Sequence, residues 1–147
     1  MSKTVILRGL VGAASAVAGA VALLPGAAQA AYVCPANAFC MYKNLNATGT
    51  VSVQAALNTG ASGYLEDFRN SHYSNGESLE NSVSSVVNNT GGFVYLYDEW
   101  KRQGTWVVIY PHSGTTNLDN ATIFPPDGNP YKGNYNDRLT SAWIVYR

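Results

Sequence analysis

Two short segments of the chain carry hydroxyl, amide and carboxylate side chains in a similar order. They are Glu80-Asn81-Ser82-Val83-Ser84-Ser85 and Asn136-Asp137-Arg138-Leu139-Thr140-Ser141, which align at an offset of 56 residues. Ca²⁺ takes about six to eight oxygen ligands from carboxylates, carbonyls, hydroxyls and water, so both segments are candidate calcium sites. The alternative is that these side chains only bond nearby backbone and fold tight turns, with Ser85 and Ser141 each tying a hairpin.

The other residues that could support catalysis lack the spacing that catalysis requires. His72 and His112 are isolated, and the chain contains neither a His-Glu-x-x-His motif nor a Gly-x-Ser-x-Gly turn. The adjacent acids Glu66-Asp67 and Asp98-Glu99 are more typical of solvated turns than of a glycosidase carboxylate pair. Tyrosines such as Tyr64 could stack on sugars, or they could plug the ends of the fold. The sequence therefore predicts that the protein is not an enzyme.

The first 30 of the 147 residues have the pattern of a secretory signal peptide. Lys3 and Arg8 precede an apolar stretch over residues 10–24, and Ala28-Gln29-Ala30 resembles a small-residue cleavage site. The apolar stretch is too short for a membrane span, and nothing later is long enough. We therefore expect a secreted, extracellular protein without a membrane segment, and a mature single domain over residues 31–147.

Two cysteines, Cys34 and Cys40, lie just inside the expected mature chain. Because a secreted protein meets an oxidising compartment, a disulfide between them is the natural expectation. Metal binding by the pair is the alternative, but no further Cys or nearby His completes a zinc site.

The charge of residues 31–147 argues against nucleic acid as a partner. This part has seven Lys and Arg against nine Asp and Glu, hence a formal net charge of −2. A protein that binds phosphate backbones carries a basic surface instead. All 17 aromatic residues lie in the same part, among many Gly, Asn, Ser and Thr, which favours short strands and turns over long helices.

An internal repeat predicts how those strands are arranged. Residues 48–53 align with residues 103–108 at an offset of 55, and Tyr42 aligns with Tyr97. Each half reads as an aromatic strand, a turn and a β-branched strand, then a long connection and a closing strand. The predicted strands are 39–42, 51–53, 86–87, 93–97, 106–110 and 142–146, and residues 64–69 are expected to form a helical turn.

This order of strands is that of a Greek key, repeated once. The first motif is expected over residues 34–89 and the second over residues 90–147. Since one motif alone cannot cover both faces of its sheet, the two should pack as an all-β sandwich of about eight strands.

These residues resemble the βγ-crystallin superfamily, whose Greek keys carry an aromatic residue, a Gly seven positions on, and a turn of the form (Asn/Asp)-(Asn/Asp)-x-x-(Ser/Thr)-Ser. The segment 136–141 fits that turn fully, whereas Glu80 departs from it at the first position. The resemblance implies calcium as a cofactor, held by side chains that are exchanged between the two motifs. Its ligands would be the hydroxyls of Ser84 and Thr140, the carbonyls of Ser82 and Arg138, and the side chains of Asn81 and Asp137.

Within that superfamily, Cys34-Pro35 with Cys40 and Tyr42 is similar to the opening of an actinobacterial family of small secreted metalloproteinase inhibitors. That family's second disulfide, near its reactive segment, has no counterpart here, because the chain has only two cysteines. The resemblance implies a monomeric inhibitor whose partner is an extracellular metallopeptidase. Two alternatives stay open, namely a calcium-stabilised extracellular binding or structural module and an antimicrobial toxin on the same fold.

An inhibitor needs a rigid segment that enters the peptidase cleft in an extended form. Ile123-Phe124 directly precede Pro125-Pro126, which hold the backbone extended, and large apolar side chains suit apolar specificity pockets. We therefore expect Ile123 and Phe124 to form the inhibitory loop. The alternative is that both side chains cap one end of the sandwich.

Overall fold

The computed structural model describes residues 31–147, and the predicted signal peptide lies outside the described residues. In the described part, no helix is long and apolar enough to cross a lipid bilayer. Three short 3₁₀ turns cover Ala55–Leu57, Phe68–Asn70 and Trp100–Arg102. The strands are β1 Phe39–Asn44, β2 Thr48–Ser52, β3 Gly63–Leu65, β4 Ser85–Asn88, β5 Phe93–Tyr97, β6 Trp106–Ile109, β7 Gly114–Asn117, β8 Ala121–Ile123, β9 Tyr131–Gly133 and β10 Ser141–Val145.

Eight of these strands form two antiparallel sheets that exchange one strand each. Sheet I has the order β2-β1-β4-β7, and sheet II has the order β3-β10-β5-β6. The third strand of the first motif, β3, therefore lies in the sheet of the second motif, and β7 lies in the sheet of the first. This arrangement confirms the predicted all-β Greek-key sandwich, to which the separate hairpin β8-β9 is added.

The core lies between the two sheets and follows the alternation of the strands. Phe39 and Met41 of β1 and Val94 and Leu96 of β5 belong to one buried apolar cluster. Successive side chains of a strand point to opposite faces, so the residues between them point outward.

The prediction of a helical turn over residues 64–69 is only partly correct. Tyr64 lies in β3, opposite Trp143 of β10, and the 3₁₀ turn begins later, at Phe68. The strand forms because Tyr64 and Leu65 complete the edge of sheet II, a long-range pairing that local sequence does not reveal.

Each motif folds its first hairpin in the same way, and a serine of the closing strand ties it. Ser85 Oγ donates to the Asn44 carbonyl at 2.5 Å and accepts from the Ala47 N–H at 3.0 Å. Ser141 Oγ donates to the Glu99 carbonyl at 2.6 Å and accepts from the Arg102 N–H at 3.0 Å. The predicted role of both serines is confirmed. Left-handed backbone angles recur at equivalent positions, which are Asn46, Ala47 and Gly49 in the first motif and Lys101, Arg102 and Gly104 in the second.

Gly104 is required at its position for two reasons. Its φ is +77°, and a Cβ there would collide with the Asp98 carboxylate and the Glu99 side chain. That carboxylate is fixed, because Oδ1 accepts from the Thr105 N–H at 2.7 Å and Oδ2 accepts from the Thr105 hydroxyl at 2.6 Å.

The outer face of sheet I is covered by the segment that precedes β1. A disulfide joins Cys34 to Cys40, which confirms the predicted pairing. Tyr42 Oη donates to the Tyr32 carbonyl at 2.9 Å, and the Asn89 amide donates to the Cys34 carbonyl at 2.9 Å. A second buried cluster forms beneath this segment, consisting of Cys34, Ala38, Cys40, Tyr42, Val51 and Val87.

The outer face of sheet II carries aromatic side chains instead, and no described segment lies across it in the same way. Trp143 of β10 stands between Tyr64 of β3 and Tyr95 of β5. The Tyr95 and Trp143 ring centroids lie 5.6 Å apart, and those of Tyr97 and Trp106 lie 6.4 Å apart. We call this surface, formed by Tyr64, Phe93, Tyr95, Tyr97, Trp106 and Trp143, the aromatic face.

Candidate functional site

The two oxygen-rich turns meet across the interface of the motifs. Ser84 Oγ of the first turn lies 3.4 Å from Asp137 Oδ1 of the second. The Asp137 N–H donates to the Val83 carbonyl at 3.1 Å, which holds the second turn against the first. The Ser84 hydroxyl and the Asp137 carboxylate, which come from different motifs, therefore lie next to each other.

A related arrangement occurs on the other side of the interface. Thr140 Oγ1 lies 3.4 Å from Asn81 Oδ1, and the Asn81 N–H donates to the Leu139 carbonyl at 3.0 Å. Thr140 Oγ1 also lies 3.2 Å from Glu80 Oε1. We call these two positions the Asp137 site and the Glu80 site.

The backbone at both turns explains why Asn and Asp occupy the second position. Asn81 has φ +49° and Asp137 has φ +55°, in the left-handed region. Asn and Asp tolerate this conformation better than other residues with a side chain, because their short polar groups bond locally. The conformation directs a short oxygen-bearing side chain of one turn towards the hydroxyl of the other.

Glu80 contributes a carboxylate that the sequence comparison counted only as a departure from the motif. Burial raises the pKa of this carboxyl above its ordinary value, and the hydrogen bond to Thr140 and the charge of Arg69 oppose that effect in part. Within residues 31–147, two buried side-chain oxygens have no hydrogen-bond partner, namely Glu80 Oε2 and Asn136 Oδ1. Both belong to the first residue of a turn, so each turn offers an unused oxygen.

The donor set fits a hard cation at both positions. Side-chain oxygens of both motifs converge there, including a carboxylate from Asp137 or from Glu80. A cavity of about 310 Å³ opens at the Glu80 site, lined by Glu80, Asn81, Thr140, Asp98, Glu99, Trp100 and Arg69. No three His, Cys, Asp or Glu side chains cluster as metal ligands anywhere in residues 31–147. Hydroxyl, amide and carbonyl oxygens would therefore supply most of the ligands.

Ser82 and Arg138, the two residues predicted to offer carbonyls to calcium, make different contacts. The Ser82 carbonyl accepts from Tyr73 Oη at 2.8 Å, and burial raises the pKa of Tyr73 to about 12, so this donor stays protonated. Arg138 directs its guanidinium to Asp98 Oδ2 at 2.8 Å. Its side chain thus belongs to the support of the second hairpin. Calcium binding by these residues stays a prediction.

Of the two residues of the expected inhibitory loop, Ile123 is buried and Phe124 is partly buried. Ile123 is only 1% exposed and belongs to the main core cluster. The Phe124 ring stacks on Trp106 at 5.9 Å, and the Phe124 N–H donates to the Trp106 carbonyl at 2.7 Å. Ile123 therefore packs in the core, as the alternative interpretation has it, whereas Phe124 packs on Trp106 at the outer face of sheet II and stays partly exposed. Ile123 would have to leave the core to reach a peptidase, and the inhibitory role of Phe124 stays a prediction.

The histidines and the paired acids form no catalytic arrangement in the described residues. His72 and His112 are exposed and lie on separate connections, and Asp67 is paired with Arg69 through Nη2 at 2.6 Å. The Asp98 carboxylate accepts a hydrogen bond from the Thr105 hydroxyl and forms an ion pair with Arg138.

The comparison with protein families decides the classification. Residues 27–109 match the model of peptidase inhibitor family I36, which is more than half of the chain. The chain belongs to peptidase inhibitor family I36. As a family I36 protein it is a non-catalytic inhibitor module, and its protein partner in general is a peptidase. No curated protein sequence matches the chain.

Two solved structures are similar to this family I36 protein. One, from work on the evolution of the eye lens βγ-crystallin domain fold, is 16% identical and has a TM-score of 0.52. The match covers 79% of this chain and 93% of that chain. The N-terminal domain of Protein S is 12% identical with a TM-score of 0.45, and the match covers 74% of this chain and 96% of that one. At such identities the first structure supports the βγ-crystallin fold alone.

Proposed function

We propose that this family I36 protein is secreted and inhibits an extracellular metallopeptidase. The observation that carries the proposal is the family match over residues 27–109. The metallopeptidase target is supported by the similarity of Cys34-Pro35, Cys40 and Tyr42 to the opening of the secreted metalloproteinase inhibitors. Secretion is supported by the signal-like pattern of residues 1–30 and agrees with the disulfide.

A rigid scaffold suits this function because an ordered surface loses little entropy when it binds. The disulfide fixes the segment before β1, and the two serine ties fix the hairpins of both motifs. Inhibition would then rest on a preformed surface.

The test is a panel of secreted metallo-, serine and cysteine peptidases assayed with purified residues 31–147. We expect tight inhibition of at least one metallopeptidase and none of the serine or cysteine peptidases. All assays should contain calcium in large excess over the inhibitor, because a calcium-binding protein could otherwise inactivate a calcium-dependent peptidase by depletion. Lack of inhibition throughout, or inhibition confined to serine or cysteine peptidases, would contradict the proposal.

We further propose that the Asp137 and Glu80 sites each bind Ca²⁺ and stabilise the fold. The supporting observation is the convergence of oxygens from both motifs, with one carboxylate at each site. Bound calcium would supply positive charge that offsets the burial of those carboxylates and joins the two motifs. Because the formal charge per site is low, we expect modest affinity, with Kd of roughly 10⁻⁵ to 10⁻³ M.

Calcium binding is measured directly by titration calorimetry and by melting curves in excess chelator and in millimolar calcium. At a calcium concentration of about one hundred times Kd, each site stabilises the native state by about 2.7 kcal/mol. Coincident melting curves would reject the calcium proposal and leave the peptidase proposal untouched.

A further inference from the structure

We propose that the target peptidase docks on the aromatic face of sheet II and on Arg102 at its rim. The part of the peptidase that binds there places a carboxylate beside an apolar side chain. This inference rests on the proposed inhibitory function and identifies the part of the molecule that performs it.

The two sheets differ in how their outer faces are covered. The outer face of sheet I is buried beneath the disulfide-linked segment, whereas all rings of the aromatic face except that of Tyr97 are at least partly exposed within the described residues. Tyr64 is 53% exposed, and the neighbouring rings of Tyr95 and Trp143 are only partly buried. Aromatic side chains at an open, preformed surface supply large contact area with little entropy to lose.

Arg102 and Arg147 stand over rings of the aromatic face, and Lys101 directly precedes Arg102. The Arg102 guanidinium lies 4.9 Å from the centre of the Tyr64 ring and 5.6 Å from that of Trp143. Lys101 stands over Trp100 at 5.1 Å, and Arg147 stands over Phe93 at 5.5 Å. The ion pairs among residues 31–147 involve Lys43, Arg69 and Arg138. Arg102, Lys101 and Arg147 therefore have no carboxylate partner within these residues.

This local positive charge contrasts with the net charge of −2 of residues 31–147. A guanidinium stacked on rings keeps its in-plane N–H donors free for a carboxylate, which it binds in a bidentate manner. The Arg102 side chain makes no hydrogen bond to any described residue. Charge complementarity therefore points to an acidic partner surface.

A groove beside Arg102 fits an apolar side chain. It measures about 430 Å³ and is lined by Tyr95, Tyr97, Trp106, Arg102, Gln103, Gly104 and Pro126. Its aromatic floor and the adjacent guanidinium suit an apolar group next to a carboxylate. A sugar fits less well, because Arg102 already covers the ring faces of Tyr64 and Trp143 on which a pyranose would stack.

The backbone holds Arg102 in place for this role. Its N–H donates to Ser141 Oγ at 3.0 Å, and the preceding Lys101 N–H donates to the Glu66 carbonyl at 2.8 Å. Since both residues have left-handed φ, a substitution that keeps a Cβ adds no new backbone strain. Arg102 can therefore be replaced without remodelling the hairpin.

The experiment compares Arg102→Gln and Arg102→Glu with the unmodified protein, using residues 31–147 and the peptidase that the panel identifies. We expect Ki to rise at least about 10-fold for Arg102→Gln and more for Arg102→Glu, because the partner's carboxylate loses its counter-charge. Raising the salt concentration from about 0.05 to 0.5 M should weaken the unmodified inhibitor and have little effect on Arg102→Gln. The matched control is Lys132→Glu, another charge reversal of an exposed cation, which lies in β9 and does not line the groove beside Arg102.

The outcomes separate the two proposals. Unmodified protein that inhibits no peptidase overturns both. If the unmodified protein inhibits and Arg102→Glu is as potent as it, only the assignment of the face is overturned. The same holds if Lys132→Glu loses as much inhibition as Arg102→Glu. A dimer of the unmodified protein that Arg102→Glu dissociates, seen by analytical ultracentrifugation, would assign the face to a second copy and also overturn it. Melting curves for each variant verify that lost inhibition does not reflect unfolding.

Discussion

Replacing Glu80 by glutamine separates two opposite effects of its buried carboxylate. Glu80 Oε2 is buried without a hydrogen-bond partner, and burial raises the pKa of the carboxyl above its ordinary value of 4.5. A raised pKa means that the folded state binds the proton more tightly than the unfolded state. Stability from this group is therefore greatest below pH 4.5 and declines as the pH rises through the folded value. At pH 7 the charge opposes folding.

The size of both effects follows from the environment of the carboxylate. An unsatisfied buried polar group costs about 1–3 kcal/mol, and partial exposure places Glu80 at the lower end. In chelator at pH 7, Glu80→Gln should therefore be about 1 kcal/mol more stable than the unmodified protein, or roughly 4 °C in Tm. In calcium at about one hundred times Kd, the variant lacks the stabilisation of about 2.7 kcal/mol that calcium binding gives at this site. The unmodified protein should then be the more stable by about 2 kcal/mol.

The assay is thermal unfolding with and without calcium at pH 7 and pH 4. We expect the order of the two melting temperatures to reverse between chelator and calcium at pH 7. At pH 4 the advantage of the variant in chelator should shrink, because Glu80 itself becomes protonated. The control is Asp127→Asn, whose side-chain oxygen still accepts from the Asn129 N–H. Equal calcium shifts for Glu80→Gln and the unmodified protein, or a less stable variant in chelator, would refute the role of Glu80.

Three further predictions concern the scaffold. Gly104→Ala should lose about 2–4 kcal/mol of unfolding free energy in chemical denaturation. Gly60→Ala, with a similar φ and open space around it, should lose only about 1 kcal/mol. Equal losses would show that the Asp98 carboxylate beside Gly104 moves aside. Replacing both Cys34 and Cys40 by Ala should cost about 2 kcal/mol, as expected for a seven-residue ring, with Ki retained if the aromatic face is the contact surface. Ile123→Ala should cost about 2–5 kcal/mol without changing the Ki of the folded protein, and a weaker inhibitor of unchanged stability would restore Ile123 as a contact residue.

The sequence predicted the parts of the fold in which pattern and repeat agree. The strand over residues 93–97 matches β5 residue for residue, because its alternating aromatic and apolar residues are visible locally. The ties by Ser85 and Ser141 were also predictable, since the two halves repeat the same turn. By contrast, β3 and β7 are only three and four residues long, and β7 consists of Gly, Thr and Asn. They are strands because of partners in the other motif.

The candidate sites show the same limit. The exchange of side chains between turns followed from the superfamily resemblance, but the contribution of Glu80 depends on its length and on the position of Thr140. Ile123 and Phe124 were both assigned to a free loop because two prolines follow them, although the core of the sandwich decides the burial of Ile123. The aromatic face was not predicted, since β3 and β10, which complete it, are distant in the chain from the hairpin β5-β6.

The exchange of β3 and β7 between the sheets has a consequence for survival among proteolytic enzymes. Gly63 pairs with Ile144, so sheet II is complete only when residues about 80 positions apart have come together. Opening of either half would remove an edge strand from the sheet of the other, so we expect partial unfolding, which normally exposes cleavable segments, to be nearly as unfavourable as global unfolding. Such distant pairings also slow folding. A molecule built in this way trades rapid folding for resistance to degradation, which suits a protein that works in contact with peptidases.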